Sequence, residues 1–165
     1  MAGSHSKIFT CLAALALAVG CLSAQSSGLP TAKPEELGDQ ALNTPVVELV
    51  QENEFLKARP YLLEMKKRME EQVEGDPAPE RMEPIAFFLA SSYLQEYQRA
   101  GDKDAKEAKE ALQTAVDSFR KYIDEFPDGP RKTIARLNLG DAYSDLKEYD
   151  KAIGVYQTIY NSPRT

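Results

Sequence analysis

Ala115 and Phe119 recur 37 residues along the chain as Ala152 and Tyr156, each pair four residues apart within a stretch of helical apolar spacing. Ahead of each pair lies another helical stretch carrying a small residue and then an aromatic three positions on, Ala90 with Tyr93 and Gly140 with Tyr143. Recurrence at such a period marks stacked supersecondary units, none of which buries its apolar face alone. A chain of this kind grows by adding helix pairs to a row, not by closing a sheet or a symmetric bundle.

The helices themselves are legible from periodicity. Met82, Ile85, Leu89, Ser92, Tyr93 and Tyr97 keep the three-four spacing of one amphipathic helix, after a Gly75-Asp76-Pro77-Ala78-Pro79 break and ending near Gly101. Ala108, Leu112, Ala115, Val116, Phe119, Tyr122, Ile123 and Phe126 line one face of a long helix over Asp104 to Phe126, stopped by Pro127-Asp128-Gly129-Pro130. Two more follow, one with Ala135, Leu139, Ala142, Tyr143 and Leu146, the other with Tyr149, Ala152, Ile153, Tyr156, Ile159 and Tyr160. Upstream, Thr44 and Pro45 read as an N-cap and first-turn proline opening a short helix that ends near Asn53. A further helix runs to about Gln72, with Pro60 starting or kinking it. No segment keeps strand alternation, so the expectation is an all-α protein of antiparallel helix pairs.

The segment Thr133 to Thr165, with Leu139-Gly140, Tyr143, Tyr149, Ala152, Tyr156 and Pro163, resembles a tetratricopeptide repeat (TPR). The preceding unit, Glu83 to Pro127, fits the same pattern through Leu89, Ala90, Tyr93, Ala115, Phe119 and Pro127. It carries about 13 residues more than the family's period, read as lengthened helices. Val46 to Gln72 is a degenerate first unit with Ala58 and Leu62 in the second-helix positions. The resemblance implies a TPR-like α-solenoid in which Gly140 and Ala152 let helices approach and Tyr143 and Tyr156 fill the space between turns. Phe119-Arg120-Lys121-Tyr122 through Pro127, with Leu139-Gly140-Asp141-Ala142-Tyr143, is similar to TPRs of bacterial envelope proteins such as outer-membrane assembly lipoproteins and cell-division coordinators.

The first 24 residues read as an export signal: Lys7, then an apolar run of twelve from Ile8 to Val19, then small residues at Gly20, Ser23 and Ala24. The run is shorter than the roughly 20 residues a membrane-spanning helix needs. Two processing outcomes are open. Leu17-Ala18-Val19-Gly20-Cys21 resembles a lipobox, with Cys21 as the lipidation candidate, and Ala24 offers an ordinary cleavage site. Residues 25–43, punctuated by Ser26, Ser27, Gly28, Pro30, Pro34 and Gly38, read as a flexible linker before a helical domain over 44–165.

His5, Cys11 and Cys21 are the only histidine and cysteines of the chain, so loss of the first 24 residues leaves no thiol or imidazole for a zinc site or nucleophile-base pair. That loss takes one basic residue, Lys7, and no acid, moving the net charge from -6 to -7. The acidic balance argues against nucleic acid as a partner, since phosphate-backbone affinity needs clustered Lys and Arg. No cofactor, metal or catalytic group is read from the sequence; the expectation is a non-enzymatic scaffold. Lys66 to Arg68 and the mixed-charge stretch Lys103 to Glu110 read as solvated helix walls, the second with Lys103 to Glu107 and Lys106 to Glu110 pairs and a docking role as its alternative.

If the chain follows the family, helical phase places Phe87, Ser91, Leu94, Leu137, Asp141 and Ser144 in a partner-binding groove. Phe87, Leu137 and Asp141 stand where carboxylate-clamping TPRs carry Lys and Asn, so a C-terminal carboxylate is not the implied ligand. The expected partner is another envelope protein or a peptide segment of one, met in the periplasm, with a lipid anchor if Cys21 is acylated. An accessory subunit of an envelope enzyme, or the front end of a larger TPR protein, is the alternative. The apolar edge around Ile153, Val155 and Ile159 has no capping helix after it, which suggests an incomplete chain, with a partner or self-association through that edge as the alternative.

Overall fold

Apolar stripes at helical spacing need a neighbour to cover them, and in a computed structural model, which describes residues 29–72 and 79–161, each stripe finds one next to it in the chain. Six α-helices and no strand are found among the described residues: α1 (Asp39–Gln51), α2 (Phe55–Gln72), α3 (Pro79–Arg99), α4 (Lys106–Glu125), α5 (Lys132–Asp145) and α6 (Tyr149–Tyr160). A short 3-10 turn, Pro34–Glu36, precedes them. Each helix packs chiefly on the one before and the one after it, with a smaller α3–α5 contact. Short connections turn successive helices antiparallel, and sequential packing distinguishes this row from a closed bundle. The fold is a TPR-like α-solenoid, as the periodicity predicts. The expected signal and the lipidation candidate Cys21, the Ser26 to Gly28 part of the linker, most of the Gly75 to Pro79 break and the terminal Pro163 lie outside the described residues.

The helical region begins earlier than residue 44. Gly38 precedes the first turn of α1, and Pro45 sits inside that helix, buried. Thr44 does not cap; its Oγ1 donates back to the Gln40 carbonyl at 3.3 Å, the usual alternative for a mid-helix threonine. Tertiary contacts draw the start back. Leu42 is buried in the core, and Arg68 of α2 bonds Asp39 (3.0 Å) and the carbonyls of Pro34 and Glu35. Residues 34–36 and 39–43 are therefore helical, with Leu42 buried, where the composition reads as linker.

The first and last pairs share one turn. Asn53 and Lys147 are both left-handed, with φ of 57° and 62°. Around each, the next amide bonds a carbonyl five residues back (Glu54 to Leu49, Glu148 to Tyr143), and the left-handed residue bonds three back (Asn53 to Val50, Lys147 to Ser144). This is the Schellman arrangement, satisfying the last carbonyls of the first helix of each pair. It makes α1–α2 a unit of the same kind as α5–α6, although α1–α2 carries the weakest sequence pattern. Gln95 of α3 then caps α2, accepting from the Leu56 amide (2.8 Å) and donating to the Asn53 carbonyl (2.5 Å).

The repeat-packing residues take the places their spacing implies. Ala90, Ala115, Phe119 and Ala152 are at most 2% exposed, Leu89, Leu139 and Tyr143 are buried, Tyr93 and Tyr156 half-buried, and Pro127 ends α4 at the surface. A Cβ on Gly140 would lie 2.3 Å from the Tyr156 ring, so α5 and α6 meet closely here because the glycine has no side chain. Gly140→Leu is expected to cost about 1–3 kcal/mol, seen as a lower thermal midpoint. An unchanged midpoint would refute the close approach of these helices.

One polar cluster lies inside this apolar row. Glu83 at the start of α3 and Arg131 before α5 are 5% and 7% exposed, and Glu83 accepts from both the Arg131 guanidinium and the Tyr122 hydroxyl of α4. The guanidinium also stacks over Phe88, 5.2 Å from its centroid. Burial, then the bond to Glu83, pushes the Tyr122 phenol well above its ordinary value. Three consecutive segments are thus tied together through one carboxylate.

Candidate partner-binding surface

The six groove candidates divide by helix. On α3, Phe87, Ser91 and Leu94 are each 6% exposed and cannot meet a partner. The Phe87 ring lies edge-on to Phe88 (5.4 Å), Phe119 (6.2 Å) and Tyr122 (5.6 Å), and Ser91 Oγ donates to the Phe87 carbonyl at 2.9 Å. The physical reason is that α3 is sandwiched between α2 and α4 and touches α5, so nearly every face is covered. Helical phase puts the three on one side of α3 but does not show what lies there. The run Ile85-Ala86-Phe87-Phe88-Leu89-Ala90 carried the missing signal, because a helix apolar all round is an interior helix.

On α5 the remaining three stand at the surface. Leu137 is 43% exposed, Asp141 is exposed and Ser144 half-buried. Asp141 is already engaged: its Oδ1 accepts from the Tyr156 hydroxyl at 2.6 Å. Burial and then that bond raise the Tyr156 phenol above its ordinary value, while Ser144 acts in the opposite sense by bonding the phenol oxygen. One helical turn on, partial desolvation raises Asp145, the charge of Asp141 adds to this, and Lys103 opposes it. The surface is thus an apolar anchor, Leu137, beside a fixed acidic edge.

A concavity opens between α3, α4 and the α5–α6 turn. A cleft of about 930 Å³ is lined by Tyr97 of α3, Lys106, Lys109 and Leu112 of α4, and Asp145 and Lys147 at the α5–α6 turn. Its lysines are largely matched by acids: Lys106 pairs with Glu110 (3.6 Å), as its spacing predicts, and Lys109 with Asp104 (3.1 Å). Lys103 does not pair with Glu107, because α4 begins only at Lys106; it donates instead to the Tyr97 carbonyl, with its ammonium 4.5 Å from the ring centroid. The Lys66 to Arg68 cluster is likewise matched, to Glu70, Glu71, Glu64 and Asp39. Among the described residues no helix is long and apolar enough to cross a membrane.

The α5–α6 pair, with its close approach at Gly140 and its exposed first-helix face, is also where a family comparison falls: residues 135–163 match the model described as tetratricopeptide repeat. This segment is similar to a tetratricopeptide repeat. No curated protein and no solved structure matches the chain. The match spans α5 and α6, and Leu137, Asp141 and Ser144 stand on α5, the first helix of that pair. The surface of α5 presents one apolar side chain, Leu137, with polar groups at its edge.

Proposed function

We propose that the chain is an exported, non-catalytic scaffold of the bacterial cell envelope, holding a segment of another envelope protein against the outer face of α5. The observation that carries this reading is the exposed Leu137 beside Asp141 and Ser144 on the first helix of the TPR unit. Apolar anchors of this kind supply most of the affinity at a small interface, and the polar neighbours fix register. The apolar run Ile8 to Val19 followed by small residues supports export, and Cys21 supports a lipid anchor as one form of it.

Two measurements test the proposal. The intact mass of the protein recovered from its native envelope fraction should correspond to a chain starting at Gln25 or at an acylated Cys21; an unprocessed Met1 start in the cytosol rules out export. A photo-crosslinking residue at Leu137 should capture a discrete partner, while one at Leu63 of α2, equally exposed at 45%, should not. Capture from Leu63 alone would move the binding surface off α5.

A further inference from the structure

One guanidinium holds the chain where it enters the helical row. Arg68 of α2 donates through Nη1 to Asp39 at 3.0 Å, at the start of α1, and through Nη2 to the carbonyls of Pro34 and Glu35 at 3.4 and 3.3 Å. Its Nε is taken by Glu64, one turn back on the same helix, at 2.7 Å. That bond presets the rigid fork, so that the remaining donors face the chain ahead of α2. The Arg68 and Glu64 side chains are 19% and 15% exposed, whereas the neighbouring pairs Lys66–Glu70 and Lys67–Glu71 are more open to solvent. The segment so held has little of its own to keep it in place. Its 3-10 turn spans three residues, none of them buried, with amide bonds from Glu36 to Lys33 and from Leu37 to Pro34. Neither the turn nor α1 has a side-chain bond at its N-cap. Of its side chains, Leu37 leans on the core and is half-buried. A segment with so few internal bonds opens at low cost unless something outside it supplies contacts.

We propose that residues 33–38 are a strap which Arg68 latches onto α2, and that the latch sets where the leading part of the chain leaves the helical row. Arg68 and its three acceptors on this side lie 29 to 34 residues apart, so the latch closes only on a packed α1–α2 pair. While it is closed, the chain departs over α2, with α3 and α4 between that point and Leu137 of α5. When it opens, the chain is fixed only from Asp39 onward, and the six freed residues add roughly 20 Å to the reach of the leading segment at about 3.3–3.6 Å each. Leu37 then loses its cover as well. The fold thus holds two lengths of lead, selected by one side chain, whatever α5 binds.

Limited proteolysis of the full chain with glutamyl endopeptidase, which cuts after Glu35 and Glu36, tests the latch, with products identified by mass. Both glutamates are exposed, but a protease needs an extended stretch of backbone, so the rate at these bonds follows the open fraction of the strap. Arg68→Gln should be cut there about tenfold faster, while cleavage after Glu125 at the end of α4 keeps its rate and helical circular dichroism is unchanged. Arg68→Lys should behave nearly as Arg68→Gln, since an ammonium keeps the attraction to Asp39 but lacks the fork that also reaches two carbonyls. Equal rates for Arg68→Gln and the unaltered chain overturn the proposal. Full rescue by Arg68→Lys overturns it too, because charge alone would then hold the segment. If Arg68→Gln loses helicity, Asp39→Asn, which leaves α2 untouched, is read by the same criterion.

Discussion

Arg131→Ala is expected to lower the unfolding free energy by about 3–5 kcal/mol, because it leaves the Glu83 carboxylate buried without its counter-ion. In calorimetry this is a fall in melting temperature on the order of 10 °C for a domain of this size. The effect comes from the orphaned charge and not from lost attraction. Glu83→Leu combined with Arg131→Met should therefore recover most of the loss, since neither charge then needs solvation. A single variant within about 1 kcal/mol of the unaltered protein would mean that water reaches Glu83 and that the cluster is peripheral. The same site predicts an alkaline response. Tyr122 holds its proton more tightly folded than unfolded, so its contribution is intact below its ordinary value of 10.0 and is lost as the pH climbs past it. Tyr122→Phe should flatten that part of the stability profile.

Phe119→Ala is the second large effect, expected at about 3–5 kcal/mol, since the ring is 0% exposed and meets Phe87 at 6.2 Å inside the α3–α4 contact. The informative comparison is Tyr156→Ala at the repeat-equivalent position. Tyr156 is half-buried, with its ring over Gly140, so its loss should be about half as large or less. Chemical denaturation of the two variants gives the ratio directly. Equal losses would show that Tyr156 is as enclosed as Phe119.

The position of Phe119 was legible, and that of Phe87 was not, for one physical reason. The 37-residue recurrence identifies which side of α4 and α6 is apolar, and packing then follows for α4 because a neighbour lies on each side of it in the chain. Phe87, Ser91 and Leu94 share one helical phase, but phase is a direction, and only the placement of α2, α4 and α5 around α3 shows that this direction ends in protein. Leu137 and Asp141 are exposed and Ser144 half-buried because the neighbours of α5 leave this side of it open.

Local signals alone determined the six helices, the pairing, the small residues at Ala90, Gly140 and Ala152, and the solenoid, because each is a matter of spacing within some forty residues. Three features needed the tertiary structure. Thr44 and Pro45 have the local chemistry of a helix start, yet burial of Leu42 and the reach of Arg68 across to Asp39 extend α1 behind them. Glu83, Tyr122 and Arg131 are far apart in sequence and carry no motif; only the stacking of three successive segments brings them to one buried point. The same apolar pattern is core in α4 and surface in α6, since burial depends on the neighbour and not on the residue, and the neighbour is supplied by the fold.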